Sequence, residues 1–214
     1  MALTTRSHRI AQLLITLERS RPIIWRRVEV PVTASLFALH DVIQAVMLFE
    51  DRHLWRFDVG PRSRESHYGP RHLVEGILEP IVDARYVRIE SFIDRGIEHF
   101  NYTYDFGDDW RLSVLIEIIK SSDPFIQYPR LVEGSRRAPP EDVGGEPGFA
   151  LFLKAMSSRS HPEHRRLKSW YGGDYDPLDM STTEIHARLE KLAPRHLTGK
   201  NGKANSRRPP PDRH

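Results

Sequence analysis

Acidic side chains cluster at three predicted turns or loops of this 214-residue chain. Carboxylate oxygens that converge from separate loops can hold a divalent cation, and the cation can activate water for hydrolysis of a phosphate ester. Aspartate at a turn also commonly bonds its own backbone, so each carboxylate can equally be a local structural feature. The candidates are Asp105, Asp108, Asp109, Glu141, Asp142, Asp174 and Asp176.

Two histidines, His161 and His164, lie three residues apart at the predicted start of a helix. Side chains at this spacing share one helix face, so the pair could bind a metal, with His53 approaching from elsewhere in the chain. His161 stands beside Pro162, a position that is also typical of a helix cap. The spacing leaves both interpretations open.

The absence of several motifs limits the chemistry further. The chain has no cysteine, which excludes thiolate metal sites and cysteine nucleophiles. It also lacks the Gly-x-Ser-x-Gly, Walker A and Gly-x-Gly-x-x-Gly motifs of many hydrolases and nucleotide-binding proteins. No run approaches the roughly 18–20 apolar residues of a membrane helix, and no secretory signal is recognisable. We therefore expect a cytoplasmic protein with no membrane association, no resident metal and no cofactor.

An aromatic residue, Trp25, is followed directly by two basic residues, Arg26 and Arg27. An indole with two neighbouring guanidinium groups could stack on and neutralise single-stranded nucleic acid. In the alternative interpretation, the tryptophan packs on the core and the stems of the arginines cover it.

The C-terminal residues 194–214 form a basic segment with six Lys or Arg residues, among them Arg207 and Arg208, against one Asp. The net charge of +3 therefore belongs to this segment, and the rest of the chain is slightly acidic. With Leu197 as its single large apolar residue, the segment cannot bury enough surface to fold, so we predict a disordered tail. The tail is either solubilising or a weak nucleic-acid contact, because clustered cations gain affinity by releasing counterions.

Two antiparallel hairpins are predicted from alternating apolar residues, over 10–30 and over 100–119. In the second hairpin, Gly107 is expected to need a positive φ angle. Ser35 is placed to cap a helix over 36–47, and 55–59 alternates as a further strand. Residues 87–93 fit either a strand or a short helix. After Pro124 the strands are expected to stop and helices to follow, with Pro147 at the first position of one of them.

This order of elements predicts an α+β fold. Its mainly antiparallel sheet would be built from two hairpins, with a helix after the first hairpin and C-terminal helices packed on the sheet. A single domain is expected over 1–193, followed by the tail over 194–214.

Five short motifs in the same order resemble the plasmid pRiA4b ORF-3-like family, whose members occur on plasmids, in insertion elements and as stand-alone proteins. Together the motifs span about residues 10 to 190. The resemblance implies a compact α+β fold and no established activity. Relatives often carry cysteines around the fourth motif, where this chain has Ala138 and Val143, so a thiolate site is impossible here. The motifs are Ile24-Trp-Arg-Arg-Val28, Asp51-x-His-Leu-x-x-Phe57, Tyr104-Asp-Phe-Gly-Asp-Asp-Trp110, Pro139-Pro-Glu-Asp-Val-Gly-Gly145, and His161-Pro-Glu-His164 followed by Gly173-Asp-Tyr-Asp-Pro177.

Two function classes remain. The leading hypothesis is a non-catalytic accessory protein of a plasmid or mobile element, which binds a protein partner or, weakly through its tail, nucleic acid. The alternative is a metal-dependent hydrolase or nuclease that uses the carboxylate loops and the histidine pair. Convergence of these side chains within ligand distance would favour the enzyme.

Overall fold

The computed structural model describes residues 9–61, 65–71 and 81–197. Eight strands form one mixed sheet, and five α-helices and a 3₁₀ helix at Ala84–Tyr86 complete this part of the chain. The strands are β1 (Arg9–Leu17), β2 (Ile24–Pro31), β3 (Trp55–Val59), β4 (Ser66–Gly69), β5 (Ile81–Asp83), β6 (His99–Tyr104), β7 (Trp110–Ser121) and β8 (Arg130–Ser135). The helices are α1 (Leu36–Met47), α2 (Ile89–Ile93), α3 (Gly145–Ser157), α4 (His164–Tyr171) and α5 (Thr182–Leu197).

The strand order is β5-β4-β3-β6-β7-β1-β2-β8. Every neighbouring pair is antiparallel except β4 and β5, which are parallel. The α+β class and the mostly antiparallel sheet are therefore as predicted, but a sheet built from two hairpins is too simple a description. The pairs β1–β2 and β6–β7 are two parts of a sheet in which β7 also pairs with β1.

Helix α1 covers one face of the sheet. Ten of its twelve residues are buried, and the eight apolar ones join the inward residues of the strands, such as Leu13 and Ile15, in one core. The Ser35 side chain accepts a hydrogen bond from the amide of Ala38 at 3.1 Å, which confirms the predicted cap. Helix α5 packs against α1 and β8.

Several predicted elements need correction. Strands do not stop after Pro124, because β8 pairs with β2 at the edge of the sheet. Its alternation is weak since Leu131 is its one buried side chain, as an edge strand permits. Residues 89–93 are the short helix α2. Pro147 is the third residue of α3, since that helix begins at Gly145.

The turn between β6 and β7 also differs from the prediction. Asp105 and Asp109 have positive φ angles of 54° each, whereas Gly107 does not have one. The Asp105 side chain accepts a hydrogen bond from the Gly107 amide at 2.9 Å, and such local bonding helps aspartate to adopt the left-handed conformation. The expected need for glycine at position 107 is therefore wrong.

Helical backbone continues to Leu197 and so includes the first four residues of the predicted tail. Residues 198–214, with Arg207 and Arg208, lie outside the described part of the chain. Within that described part, every helix is too short or too polar to span a bilayer.

Candidate functional site

The imidazole of His53 lies among three carboxylates. Its Nε2 atom is 2.9 Å from Oδ1 of Asp142, 3.5 Å from Oε1 of Glu141 and 3.6 Å from Oδ2 of Asp105. We call these four residues the His53 cluster. His53 and Asp105 meet because Trp55, the first residue of β3, pairs with Tyr104, the last residue of β6, so the flanking residues leave the sheet side by side.

The other two carboxylates arrive on the loop that precedes α3, and this loop is fixed to the β6–β7 turn. The Gly144 amide donates to Oδ2 of Asp108 at 3.1 Å. Gly145 has a φ of +65°, and a Cβ atom there would lie 2.7 Å from the backbone oxygen of Asp108. Only glycine permits this approach without a shift of the backbone, so Gly145 sets the distance between the two loops.

Hydrogen bonds orient the Glu141 side chain. Tyr104 donates its hydroxyl to Oε1 at 2.6 Å, and the Glu50 amide donates to Oε2 at 3.0 Å. Burial and the bond to Glu141 raise the pKa of Tyr104 well above its ordinary value, so the hydroxyl stays a donor at neutral pH. Glu141 therefore enters the cluster in a preset orientation.

Asp105 divides its two oxygens between structure and cluster. Oδ1 accepts from the amides of Gly107 and Asp108, at 2.9 and 3.3 Å, while Oδ2 faces His53. Asp105 can therefore stabilise the turn with one oxygen and act as a metal ligand with the other.

Negative charge exceeds positive charge around His53. Four carboxylates lie here, those of Glu50, Asp105, Glu141 and Asp142. They face the guanidinium of Arg52, which pairs with Glu50 and lies 4.0 Å from Asp142. Carboxylates held this close repel one another unless a proton or a metal cation lies between them. The cluster is therefore electrostatically suited to a cation.

The spacing of the donor atoms fits metal coordination. One ligand atom each from His53, Asp105 and Asp142 lie within 4.8 Å of one another. Bonds of 2.0–2.1 Å place neighbouring donors about 3.0 Å apart around an octahedral ion and about 3.3 Å apart around a tetrahedral one. The separations of 2.9 to 3.6 Å from Nε2 are close to these values.

The remaining sequence candidates lie elsewhere. Nδ1 of His164 donates to the Ala155 carbonyl at 2.8 Å, and Nδ1 of His161 accepts from an amide at 3.2 Å. These two histidines thus bond to the protein backbone rather than joining His53. Four aspartates complete the set outside the cluster: Asp108 accepts from the Gly144 amide, Asp109 pairs with Arg111, Asp174 pairs with Lys168, and Asp176 accepts from the Leu178 amide.

Burial removes Arg26 from the nucleic-acid contact predicted on β2. Arg26 is fully buried, bonds three backbone carbonyls and cannot contact a ligand on the surface. Burial lowers its pKa to about 10. Arg27 pairs with Glu117 at 2.6 Å and with Glu133, and it covers the ring of the half-buried Trp25. Alternation along the strand sends Arg26 inward, as it would an apolar residue.

A second group with ligand-like spacing contains Asp58, Glu65 and His67. Here the Arg56 guanidinium lies 2.6 Å from Asp58 and His67 lies 2.7 Å from the same oxygen. Because a fixed cation already neutralises Asp58, this group is less suited to a metal than the His53 cluster.

The protein has an α+β fold in which a histidine and three carboxylates meet where two strands leave a mixed sheet. The chain belongs to the plasmid pRiA4b ORF-3-like family, whose model matches residues 9–184. An uncharacterised protein of Sinorhizobium fredii, y4hQ, is 35% identical over 191 residues, which cover 86% of this chain and 92% of the relative. The crystal structure of MM3350 from Methanosarcina mazei, a protein of unknown function, superposes with a TM-score of 0.75 at 30% identity and covers 83% of this chain and 96% of that one.

Proposed function

We propose that this protein binds a divalent cation at the His53 cluster and uses it to hydrolyse a phosphate ester. The observation that carries the proposal is the meeting of three carboxylates at one imidazole nitrogen, with separations that suit metal ligands. This is the enzyme alternative of the two function classes, with His53 in place of the pair His161 and His164.

The donor set favours a transition metal over calcium. One imidazole nitrogen with carboxylate oxygens suits Mn²⁺ or Zn²⁺, whereas Ca²⁺ prefers oxygen ligands alone. The Asp142 side chain is 55% exposed, so one side of the cluster is open to solvent. An ion held by His53, Asp105 and Asp142 would have an open position for water and could lower the pKa of that water enough to supply hydroxide near neutral pH.

Metal binding is tested on the full chain after removal of divalent ions with EDTA. We expect calorimetry to give one Mn²⁺ or Zn²⁺ per chain. At a hundredfold excess over Kd the ion stabilises the fold by about 2.7 kcal/mol, which raises Tm by about 5–10 °C. Asp105→Asn and Asp142→Asn should remove the rise, whereas Asp176→Asn, a change at an aspartate outside the cluster, should keep it. A rise that is absent, or that persists in both cluster variants, contradicts the metal site.

Hydrolysis is tested separately with bis(p-nitrophenyl) phosphate and p-nitrophenyl phosphate as a model diester and monoester. Metal-dependent turnover that is lost in Asp142→Asn supports the enzyme. Binding without turnover makes the ion structural and favours the accessory role, in which a non-catalytic protein of a plasmid or mobile element binds a protein partner or, weakly, nucleic acid.

A further inference from the structure

A groove outside the His53 cluster is lined by basic side chains. It lies between the loop 158–163, helix α4 and the glycines 172 and 173, and its volume is about 720 Å³. The side chains that matter are Arg159, His161, His164, Arg165 and Lys168. We call this feature the α4 groove, and it does not include any residue of the His53 cluster.

The positive charge of the α4 groove is largely uncompensated. No acidic residue lines it. Arg159 and Arg165 make no ion pair or side-chain hydrogen bond with any residue in the described ranges, although Lys168 pairs with Asp174. Like charges held together on a surface repel one another, and an anion in the groove would relieve that repulsion.

The two histidines add a hydrogen-bond donor to the groove, and their rings are held in fixed orientations by backbone groups. Because Nδ1 of His161 accepts from the Glu163 amide, the neutral ring carries its proton on Nε2 and can donate it to an anion. Nδ1 of His164 donates to the Ala155 carbonyl, which fixes that ring against α3. Both rings are half-buried and line the groove, so their positions are set by the fold.

The lining indicates which anion fits. Pockets for small molecules are mostly apolar and enclose their ligand, whereas this groove is open and has no Trp, Tyr or Phe in its wall. Its lining therefore favours recognition of negative charge over recognition of a particular base. Contacts of this kind hold the phosphate backbone of nucleic acid without reading its sequence.

We propose that the α4 groove binds the phosphate backbone of nucleic acid through Arg159, Arg165 and Lys168. The proposal does not depend on the His53 cluster or on the tail. Asp174 should weaken the binding of nucleic acid, because its carboxylate pairs with the ammonium group of Lys168. The hydrogen bond from Lys168, followed by the charges of Lys168 and Arg159, holds the pKa of Asp174 below its ordinary value, which places its negative charge beside the groove.

Fluorescence anisotropy tests the proposal with a labelled 20-nucleotide oligo(dT) and a 20-base-pair duplex. The full chain is measured in EDTA, so that a metal at the His53 cluster cannot contribute. We expect the triple variant Arg159→Gln, Arg165→Gln, Lys168→Gln to lose about tenfold or more in affinity near 0.1 M salt. Its plot of log K against log salt should become shallower by about two to three, one for each lost phosphate contact.

Three further variants separate the groove from other causes. Arg166→Gln makes the same charge change on the same helix, but Arg166 pairs with Glu163 and does not line the groove, so its affinity should stay unchanged. Asp174→Asn should raise affinity several-fold by releasing Lys168. The double change Arg207→Gln, Arg208→Gln measures the contribution of the tail to the affinity for nucleic acid.

Circular dichroism of the triple variant checks its fold, and the single Arg165→Gln change provides the test if the triple variant is unstable. Unchanged affinity in the groove variants, with loss only in the tail variant, would overturn the proposal. Competition by polyglutamate as effective as that by oligo(dT) at equal charge would also overturn it, because the groove would then bind any polyanion.

Discussion

Replacing Gly145 with alanine should destabilise the protein through two separate effects. The φ of +65° is strained for any residue with a Cβ, at about 1–2 kcal/mol. The added Cβ would also lie 2.7 Å from the backbone oxygen of Asp108, and backbone cannot move aside as a flexible side chain can. Forcing such a contact apart costs about 1–3 kcal/mol. We therefore expect a total loss of about 2–5 kcal/mol.

Two glycines of the same chain serve as matched controls. Gly172 has a φ of +88° but open space around the added Cβ, so Gly172→Ala should lose only the strain of about 1–2 kcal/mol. Gly173 has neither a positive φ nor a neighbour within 4 Å, and Gly173→Ala should be nearly neutral. Urea unfolding of the three variants, each with and without Mn²⁺, gives their free energies of unfolding.

The comparison also tests the candidate site. If Gly145 holds the Glu141–Asp142 loop against the β6–β7 turn, Gly145→Ala should weaken Mn²⁺ binding, and Gly172→Ala should leave it unchanged. Equal losses of stability in Gly145→Ala and Gly172→Ala would refute the close approach of the two loops.

Two predictions concern buried charges. Burial opposes ionisation of Glu29, but hydrogen bonds from Arg130 at 2.6 Å and Lys120 at 2.5 Å outweigh it and hold the pKa of this carboxyl below its ordinary value. Its stabilisation is therefore full above the unfolded pKa of about 4.5 and is lost as pH falls further, so Glu29→Gln should flatten the acid limb of a urea-unfolding series. Arg26→Met removes the donors to three carbonyls, Val46 among them, and should lower the free energy of unfolding by about 3 kcal/mol or more. An unchanged urea midpoint would show that water replaces those bonds.

Much of the fold follows from local pattern. Alternation in β1, β2, β6 and β7 is strong because these strands lie inside the sheet and bury one face, and Ser35 marks the start of α1 by a bond within its own turn. Strands β4, β5 and β8 were not predicted. They are short or lie toward the sheet edges, where few side chains need to be apolar.

The sites depend on information that a local pattern does not contain. Residue type and turn chemistry identify Asp105, Glu141 and Asp142 as candidates, but only the pairing of β3 with β6 brings His53 to them. The regular spacing of His161 and His164 points to a metal, whereas both rings bond to backbone groups nearby. The cations of the α4 groove resemble any solvated surface until the fold gathers them.

Distance along the chain gives the His53 cluster a kinetic consequence. His53 and Asp142 are separated by 89 residues, so closing this contact requires ordering a long loop of chain. The cluster is complete only after β3 has paired with β6 and the loop before α3 has docked on the β6–β7 turn. We expect interactions that form this late to be absent from the folding transition state and to act mainly on the rate of unfolding. A cation bound there as proposed should therefore slow unfolding and lengthen the lifetime of the native protein, while the rate of folding stays the same.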